Sequence, residues 1–287
     1  MDSPEKAPAE ALPAAKAPGE AACDTSWIPT VGGLGQSAIV TVTELGTFSL
    51  FVFQAIRAIS QGRKRTSKLA RALFEMGVRC TPIILTVGCF TGLIIGLQGY
   101  RTLARFGSET ALGATVAVSL VNGLAPVLAA LMVVGQAGSA LAAELGIQRN
   151  SEQIDAIETM GINPLGYFVS NRLLAAVLVY PMHTAFFDII GIFGGFISGC
   201  LLLGQPSGVY WQNVHSGLTP EGVWGGLLKA VIFGFVVTAI CAFEGYNTHL
   251  RSDEAGARGV SQSTTRAVVY SSIAVLALDY LITAMQS

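Results

Sequence analysis

Five long apolar segments, separated by polar connections, dominate the pattern of the chain. They cover residues 80–100, 111–134, 173–203, 223–243 and 267–285. A helix needs about 20 apolar residues to cross the hydrocarbon layer of a bilayer. The third segment is longer than that, so we expect it to tilt or to extend past the lipid headgroups. The pattern predicts an all-α integral membrane protein with five transmembrane helices.

An earlier apolar stretch, residues 37–59, has a mixed character. Its apolar residues recur at helical spacing, but Glu44, Gln54 and Arg57 interrupt them. This pattern favours an N-terminal interfacial helix with its apolar face against the lipid, and a sixth crossing is the alternative. The preceding residues are rich in Ala, Pro, Glu and Lys, which predicts a disordered tail over residues 1–36. Residues 37–287 then form the membrane domain.

Charge in the connections predicts the orientation. Between residues 57 and 79 there are seven basic side chains and one acidic side chain, Glu75. The positive-inside rule assigns this connection to the cytoplasm. Counting spans from there places residues 135–172 and 244–266 in the cytoplasm, with residues 101–110, 204–222 and the C-terminus on the other side. An interfacial first helix leaves the N-terminus in the cytoplasm as well.

Composition agrees with a membrane protein and excludes other classes. Charged residues make up 12% of the chain and hydrophobic residues 52%, whereas about 25% of a soluble domain is charged. The net charge of −1 gives no reason to expect a nucleic-acid partner. The five cysteines form no C-x-x-C pair and no zinc-like spacing with histidine, so we expect neither a disulfide framework nor a metal site.

The connection between the second and third spans contains an acidic segment. Its charged residues are Glu144, Arg149, Glu152, Asp155 and Glu158. Spacing by three residues puts Glu152, Asp155 and Glu158 along one side of a helix. Anionic headgroups of the cytoplasmic leaflet repel such a surface. A protein partner with a basic groove is therefore favoured over the alternative, a helix that lies on the membrane.

The flanking residues predict where this short helix begins and ends. Asn150 is expected to cap a helix that starts at Ser151, and Gln153 to return the bond, as in a capping box. Gly161 supplies a left-handed stop and Pro164 prevents continuation. The apolar residues on the inner side are Ile154, Ile157 and Met160.

Small residues within the spans predict how the helices pack. Two sets of glycines are spaced by four residues in the first and third spans, which lets helices approach closely either within the chain or between two subunits. The sets are Gly88, Gly92 and Gly96, and Gly191, Gly195 and Gly199. Pro126 lies inside the second span, where it predicts a kink or a hinge.

Ionisable residues inside the apolar segments need a partner or a cavity, because a charge is unfavourable in lipid. These residues are His183, Asp188, Lys229, Glu244 and Asp279. Lys229 is expected to extend outward from near a helix end, and Glu244 to lie near the cytoplasmic boundary. Asp188 and Asp279 are expected to be buried, either as hydrogen-bonded structural carboxyls or in a functional role.

His183 and Asp188 also match the H-x-x-x-x-D pattern of glycerolipid acyltransferases, in which a carboxylate orients a histidine base. On a continuous helix, residues five apart point about 140° away from each other. No basic phosphate-binding cluster follows the pair. An acyltransferase is therefore a distant alternative, and we do not expect this chain to be an enzyme.

Three stretches of the sequence resemble the MlaE/YrbE permease family. They are GLIIGLQGY at residues 92–100, GQAGSALAAELGIQRNSEQIDAIETMGINPLGY at 135–167 and GYNTHLRSDEAGARGVSQSTTRAVVYSSIAVLALDY at 245–280. The resemblance runs from about residue 44 to the end of the chain and covers all five spans. Three long motifs in the order of the family are a specific signal.

The resemblance implies a permease subunit of an ABC-type lipid transporter in the bacterial inner membrane. In that family two permease subunits pair, and each docks a cytoplasmic ATPase, which binds ATP and Mg, through the short helix between its second and third spans. A ring of MCE-domain proteins lies on the periplasmic side, and phospholipid occupies a cavity between the permeases. A second copy of this chain is the expected partner permease, with a heterodimer as the alternative. No cofactor is expected on this chain itself.

The resemblance also assigns residues to roles. The expected ATPase-coupling residues are Glu144, Arg149, Glu152, Gln153, Asp155 and Glu158. The expected residues of the lipid cavity or subunit interface are Gly92, Gly96, Gln98, Tyr100, Asn122, Pro126 and Gln136. Asp188, Glu244 and Asp279 complete the set as intramembrane polar residues.

The sequence departs from the family pattern in two places. Residues 121–126 read V-N-G-L-A-P where R-E-L-G-P is expected, and Gln136 stands in the position of the arginine of G-R-x-G-S-A. These neutral residues lie along the central span and its cytoplasmic exit. They keep open a divergent paralogue, a different lipid, one half of a heterodimer, or a membrane scaffold that does not transport.

Overall fold

The computed structural model describes residues 31–61, 66–251 and 256–286 of the chain. Within these ranges the chain is helical apart from short turns, and no strand occurs in them. The helices are α1 (Val31–Gln61), α2 (Thr66–Leu73), α3 (Thr81–Ala104), α4 (Leu112–Ser119), α5 (Ala125–Val133), α6 (Ser139–Asn150), α7 (Gln153–Thr159), α8 (Pro164–Phe168), α9 (Ser170–Phe196), α10 (Ser207–Gly217), α11 (Pro220–Tyr246), α12 (Thr248–Arg251) and α13 (Ala257–Gln286).

The chain divides into two units, Met1–Gly46 and Thr47–Ser287. The described part of the first unit is the beginning of α1. The predicted tail, residues 1–36, lies outside the described residues except for its last six residues, which belong to α1. The second unit contains the rest of α1 and all later helices.

Five helical segments of the described residues are long and apolar enough to cross a membrane. They are Ser67–Ala104, Glu109–Asn150, Pro164–Leu202, Pro220–Tyr246 and Ala257–Met285. Each contains one of the predicted spans almost completely, so the prediction of five apolar membrane helices is confirmed. The helical segments are longer than the apolar runs because polar residues at their ends continue the same helices.

The second half of α1 has one side against the bundle and one side exposed. Phe51 is buried, whereas Leu50 and Phe53 are exposed. The rings of Phe48 and Phe51 pack edge-on against Phe243 of α11, with ring centroids 5.3 Å and 5.4 Å away. Aromatic contacts of this geometry stabilise more than their buried area alone. They hold this part of α1 against the fourth span.

The second span is not a uniform α-helix, because two π-helical turns interrupt it. They are Leu120–Leu124 and Val134–Gly138. The first turn lies directly before α5, so Pro126 occupies the start of a new α-helical segment, where its missing N–H is tolerated. The expected kink or hinge therefore takes the form of a π turn. Asn122 lies in the first turn and Gln136 in the second, and such turns often mark functional positions.

The first and third spans pack at backbone distance through their glycines. A Cβ atom added at Gly92 would lie 1.9 Å from the carbonyl oxygen of Gly191, and one added at Gly194 would lie 2.5 Å from that of Cys89. The prediction of close packing within the chain is confirmed. Gly92 and Gly96 face α9, whose backbone lies beside them, and their expected place in a lipid cavity or subunit interface stays a prediction.

This contact gives a first testable prediction, the effect of Gly92→Ala. The added methyl group meets a carbonyl oxygen of the backbone rather than a flexible side chain, so α3 and α9 have to separate. Overpacking of this kind lowers the free energy of unfolding by about 1–3 kcal/mol, or more where backbone has to move. Thermal unfolding of the purified variant measures the loss.

Gly208→Ala is the matched control for Gly92→Ala. Gly208 also lies in a helix, α10, but a Cβ atom there meets nothing within 4 Å. We expect its stability to equal or slightly exceed that of the unmodified protein, since alanine has the higher helix propensity. Equal stability of the two variants would contradict the close contact between α3 and α9.

An additional helix, α10, lies in the connection between the third and fourth spans, for which the sequence analysis gave only a side of the membrane. Tyr210 is fully buried, and its hydroxyl group donates a hydrogen bond to the carbonyl oxygen of Ile192 at 2.9 Å. A Cβ atom at Gly113 would lie 2.3 Å from the backbone oxygen of Tyr210. Helix α10 is thereby packed firmly against α4 and α9.

Candidate functional site

The acidic segment folds into α7, but its beginning differs from the prediction. Helix α6 continues through Asn150, whose side-chain amide donates to the backbone oxygen of Gly256 at 2.9 Å. Asn150 is the last residue of α6, and no capping bond from a side chain is present at the start of α7. Glu152 precedes Gln153 in a left-handed conformation, with φ of 57°. The predicted capping box is wrong because these residues form the end of α6 rather than the beginning of α7.

The end of α7 follows the prediction more closely. Gly161 has a φ of +75°, which is the left-handed stop that was expected. Asn163 then accepts hydrogen bonds from the backbone N–H groups of Leu165 and Gly166 at 3.0 Å and 3.4 Å, which caps α8. Pro164 is the first residue of α8, so it begins the next helix as well as ending the previous one.

Only part of the predicted inner side of α7 is buried. Ile154 is 0% exposed and Ile157 is half-buried, but Met160 is 72% exposed. Ile147 and Ile162 are exposed as well. These apolar side chains lie close in sequence to the exposed carboxylates Glu152 and Glu158. We call the five exposed residues the α7 surface: Ile147, Glu152, Glu158, Met160 and Ile162.

The acidic residues of the segment fall into two groups. Asp155 forms an ion pair with Arg149 at 2.6 Å, and Glu144 forms one with Arg172 at 2.5 Å. Within the described ranges, Glu152 and Glu158 form no ion pair. Glu144 and Asp155 therefore hold helices together, and the outward negative charge belongs mainly to the other two.

Arg149 connects the acidic segment to a distant helix, α12. Its Nε atom donates to His249 Nδ1 of α12 at 3.0 Å, while its Nη1 atom contacts Asp155. The guanidinium also lies 5.5 Å from the ring centroid of Tyr246. No local pattern around His249 indicates this contact, because its partner lies 100 residues earlier.

The surroundings of His249 are expected to make α12 sensitive to pH. Burial and the positive charge of Arg149 lower the pKa of His249 below its ordinary value. The folded state thus binds a proton more weakly than the unfolded state, so the contribution of His249 to stability is complete above about pH 6.5. It is lost as the pH falls toward the lowered pKa. We expect faster amide hydrogen exchange in α12 below this pH, after correction for the intrinsic rate.

His249→Gln is the control for this pH dependence. A glutamine side chain does not titrate, and its oxygen can still accept a hydrogen bond from Arg149. The corrected exchange rate of α12 in this variant is expected to stay constant over the same pH range. The same acid response in both proteins would show that another group is responsible.

Inside the membrane segments, Lys229 is placed differently from the prediction. It is 1% exposed and does not extend outward. Its Nζ atom lies 3.2 Å from Asp279 Oδ1, 2.8 Å from Thr283 Oγ1 and 3.1 Å from the backbone oxygen of Asn122. The expectation that Lys229 reaches the surface is wrong, because three acceptors are available to it inside the bundle. Asp279 thereby has the partner that a carboxylate in lipid requires.

The other intramembrane polar groups are buried with different surroundings. Glu244 is buried near the end of α11, close to its expected position. The Oδ1 atom of Asp188 is buried and has no hydrogen-bond partner among the described residues. His183 hydrogen-bonds through Nε2 to the backbone oxygen of Gly77 at 3.0 Å, and no hydrogen bond to Asp188 occurs in the described ranges. The two residues therefore do not form the dyad of an acyltransferase.

The remaining residues of the predicted lipid cavity contact different parts of the chain. Tyr100 donates a hydrogen bond to Glu109 at 3.2 Å, and Gln98 is exposed. Asn122 and Pro126 face α11, where Cβ atoms at Gly222 and Gly226 would lie 2.5 Å from Asn122 Oδ1 and 3.7 Å from Pro126 Cγ. Gln136 lines a cavity together with Glu144 and Arg172. Their role in lipid binding stays a prediction.

Five apolar membrane helices within the described ranges, together with a buried intramembrane ion pair, define a polytopic helical membrane protein. The family model described as Permease MlaE matches residues 69–285. The intermembrane phospholipid transport system permease protein MlaE of Haemophilus influenzae is 38% identical over 89% of this chain and 96% of its own length. A probable ABC transporter permease protein of Rickettsia felis is 37% identical over 87% of this chain and 95% of its own.

A more distant relative agrees with this class. A probable ABC transporter permease protein of Synechocystis is 30% identical over 80% of this chain and 85% of its own length. The chain therefore belongs to the MlaE family of permeases. It is a permease subunit of the ABC type, and such a subunit works with an ATPase in a transport system.

Proposed function

We propose that this permease moves phospholipid between the bacterial inner membrane and a periplasmic MCE-domain channel. The observation that carries the proposal is the similarity to the Haemophilus influenzae phospholipid permease over almost the full length of both chains. The five membrane helices and their close packing are consistent with it. The proposed orientation puts the α7 end in the cytoplasm and the C-terminus in the periplasm, in accord with the basic connection before the first span.

The α7 surface is the proposed docking site of the ATPase. Its exposed apolar side chains provide a contact area, and Glu152 and Glu158 provide a charged margin, which is the usual arrangement of a protein interface. An open groove of about 400 Å³ lies beside Glu158 and includes Ile162 and Tyr246. ATP and Mg would bind to the ATPase. This chain would undergo only the conformational change that ATP hydrolysis drives.

Contacts of the acidic segment offer a route from the ATPase to the spans. Helix α7 is anchored by Ile154 and by the ion pair of Asp155 with Arg149. Helix α6 continues directly into the second span, and Glu144 connects it to Arg172 at the start of the third. Arg149 further connects it to α12 through His249. A displacement of α7 would thus act on several spans at once.

A pair of permeases is proposed to enclose the lipid. The partner is a second copy of this chain, or a related chain in a heterodimer. The second half of α1 is proposed to lie in the membrane interface, since it combines buried and exposed apolar residues. Asn122 and Gln136 supply polar but uncharged groups along the second span, so contacts of the lipid with them would not be ionic.

Reconstitution tests this function. The permease is purified with its ATPase and its MCE protein and placed in liposomes that contain a fluorescent phospholipid. We expect ATP-dependent transfer of the labelled lipid to acceptor vesicles, and no transfer without ATP. A complex that hydrolyses ATP but moves no phospholipid would overturn the substrate assignment. A complex that does neither would indicate a scaffold.

A further inference from the structure

Two adjoining cavities open between α2, α6 and α9, at the same end of the bundle as α7. Each has a volume of about 230 Å³. One water molecule needs roughly 10–15 Å³ of such space, so a phosphate group with several waters fits easily. The cavities share the residues Ala72, Glu75, Glu144 and Arg172. We call the combined space the α2 cleft.

Basic side chains outnumber acidic ones in the α2 cleft. The basic residues are Lys68, Arg71, Arg79 and Arg172, and the acidic residues are Glu75 and Glu144. Both carboxylates already have a guanidinium partner, since Arg71 lies 2.9 Å from Glu75 and Arg172 lies 2.5 Å from Glu144. Within the described ranges, Lys68 and Arg79 form no ion pair. The cleft therefore has an excess of positive charge that can attract an anion.

A buried amide in the cleft independently points to a ligand with an acceptor atom. Asn171 is 8% exposed and lines the cleft beside Arg172. Its Nδ2 atom has no hydrogen-bond partner among the described residues. A buried donor without an acceptor is unfavourable, and native proteins rarely leave one. The oxygen of a phosphate group would satisfy it.

A second unsatisfied atom in the cleft also suits a lipid headgroup. Gln148 Oε1 is buried without a partner among the described residues. As an acceptor it does not bind a phosphate oxygen, but it can bind an ammonium or hydroxyl group on the same headgroup, or a water molecule. The cleft thus offers donors for a phosphate and an acceptor for its substituent.

The chain segment that lines the cleft also carries exposed apolar side chains, which favours a lipid as the source of the anion. Phe74 and Val78 directly precede Glu75 and Arg79, and both are more than half exposed. They belong to the helical segment Ser67–Ala104, one of the five candidate spans. A free phosphate ion would not contact this apolar surface, whereas the acyl chain of a lipid would pack against it.

We propose that the α2 cleft binds the phosphodiester group of a membrane phospholipid, with an acyl chain along Phe74 and Val78. Lys68 and Arg79 supply charge, and the Asn171 amide donates a hydrogen bond to a phosphate oxygen. This lipid site lies at the α7 end, and Gln136 at its edge is the residue that it shares with the cavity proposed between two permeases. It does not depend on transport, so it can fail while the proposed function stands.

Native mass spectrometry of the full-length permease tests the site. The protein is purified with and without its ATPase and titrated with phosphatidylglycerol. We expect binding to weaken by about tenfold in Asn171→Ala and more in the double variant Lys68→Gln/Arg79→Gln, since each removes a charge-assisted bond to phosphate. Lys68 and Arg79 form no ion pair within the described ranges, so the double variant breaks no internal ion pair.

The matched control is Arg101→Gln/Arg105→Gln, which removes two exposed basic residues outside the cleft at the other end of the first span. It is expected to bind phosphatidylglycerol like the unmodified protein.

A second arm of the experiment replaces the lipid by inorganic phosphate, which should neither bind nor displace phosphatidylglycerol. The proposal is overturned if the cleft variants keep their affinity, or if inorganic phosphate displaces the lipid. It is also overturned if the bound ATPase abolishes lipid binding, which would make the cleft a docking site.

Discussion

Replacing both Glu152 and Glu158 by lysine is expected to release the ATPase from the permease while the permease stays folded. Both carboxylates are exposed and form no ion pair within the described ranges, so their reversal removes no internal contact. Loss of one charge pair at an interface weakens binding by about 2 kcal/mol or more, roughly thirtyfold. Two reversals should therefore reduce co-purification of the ATPase to background. Thermal unfolding of the variant checks that the permease is intact.

Two further variants separate docking from internal stability. Asp155→Lys breaks the ion pair with Arg149, so it is expected to lower the melting temperature of the permease as well as its affinity for the ATPase. Glu221→Lys reverses an exposed charge at the start of α11, in the connection opposite to α7, and is expected to retain the ATPase. Undiminished co-purification with the Glu152→Lys/Glu158→Lys protein would refute docking at the α7 surface.

The spans could be predicted from sequence because hydrophobicity is a local and additive property. Each apolar run is long enough by itself to specify a membrane helix. The glycines at residues 92 and 191 were also informative, since spacing by four predicts a flat helix face whatever its partner. The π turns around Asn122 and Gln136 were not predictable, because hydropathy does not distinguish an α-helical from a π-helical turn.

The start of α7 shows how a correct local rule can give a wrong boundary. Asn150 followed by Gln153 matches a capping box, and the pattern was interpreted in that way. In the structure the Asn150 side chain bonds to Gly256, which lies 106 residues later. The tertiary contact favours continuation of α6 through Asn150, and a rule based on neighbouring residues contains no information about it.

The same limitation applies to the contacts of the candidate site. The family resemblance assigned Arg149 and Glu144 to the coupling segment, but their partners His249 and Arg172 were not predicted, because they approach from distant parts of the chain. Lys229 was expected to reach the surface since it lies near the start of its span. Asp279, 50 residues later, is its actual partner. Partners of buried charges depend on how helices are arranged, which the single sequence does not specify.

Asp279→Leu is expected to be the most destabilising single substitution in the spans. It leaves the Lys229 ammonium group 1% exposed and without its counter-ion. Removing one partner of a buried ion pair lowers the free energy of unfolding by about 3–5 kcal/mol, a large share of the roughly 5–15 kcal/mol of a typical protein. Lys229→Met should have the smaller effect, because the Asp279 side chain is 25% exposed. Thermal unfolding in detergent measures both.

The double variant Lys229→Met/Asp279→Leu distinguishes a broken ion pair from lost packing. It removes both charges and fills their volume, so most of the stability lost in Asp279→Leu should return. Tyr280→Leu, at an exposed position next to Asp279, is the control and should leave stability unchanged. A double variant less stable than Asp279→Leu would contradict the pairing.

The double variant also tests whether the pair matters beyond stability. Lys229 donates to the backbone oxygen of Asn122, so it connects the fourth and fifth spans to the π turn of the second. Without this donor the π turn loses a fixed contact, although the helices remain packed. We therefore expect lipid transfer by the reconstituted complex to stay low even where stability and ATP hydrolysis have recovered. Full recovery of transfer would show that Lys229 and Asp279 only stabilise the bundle.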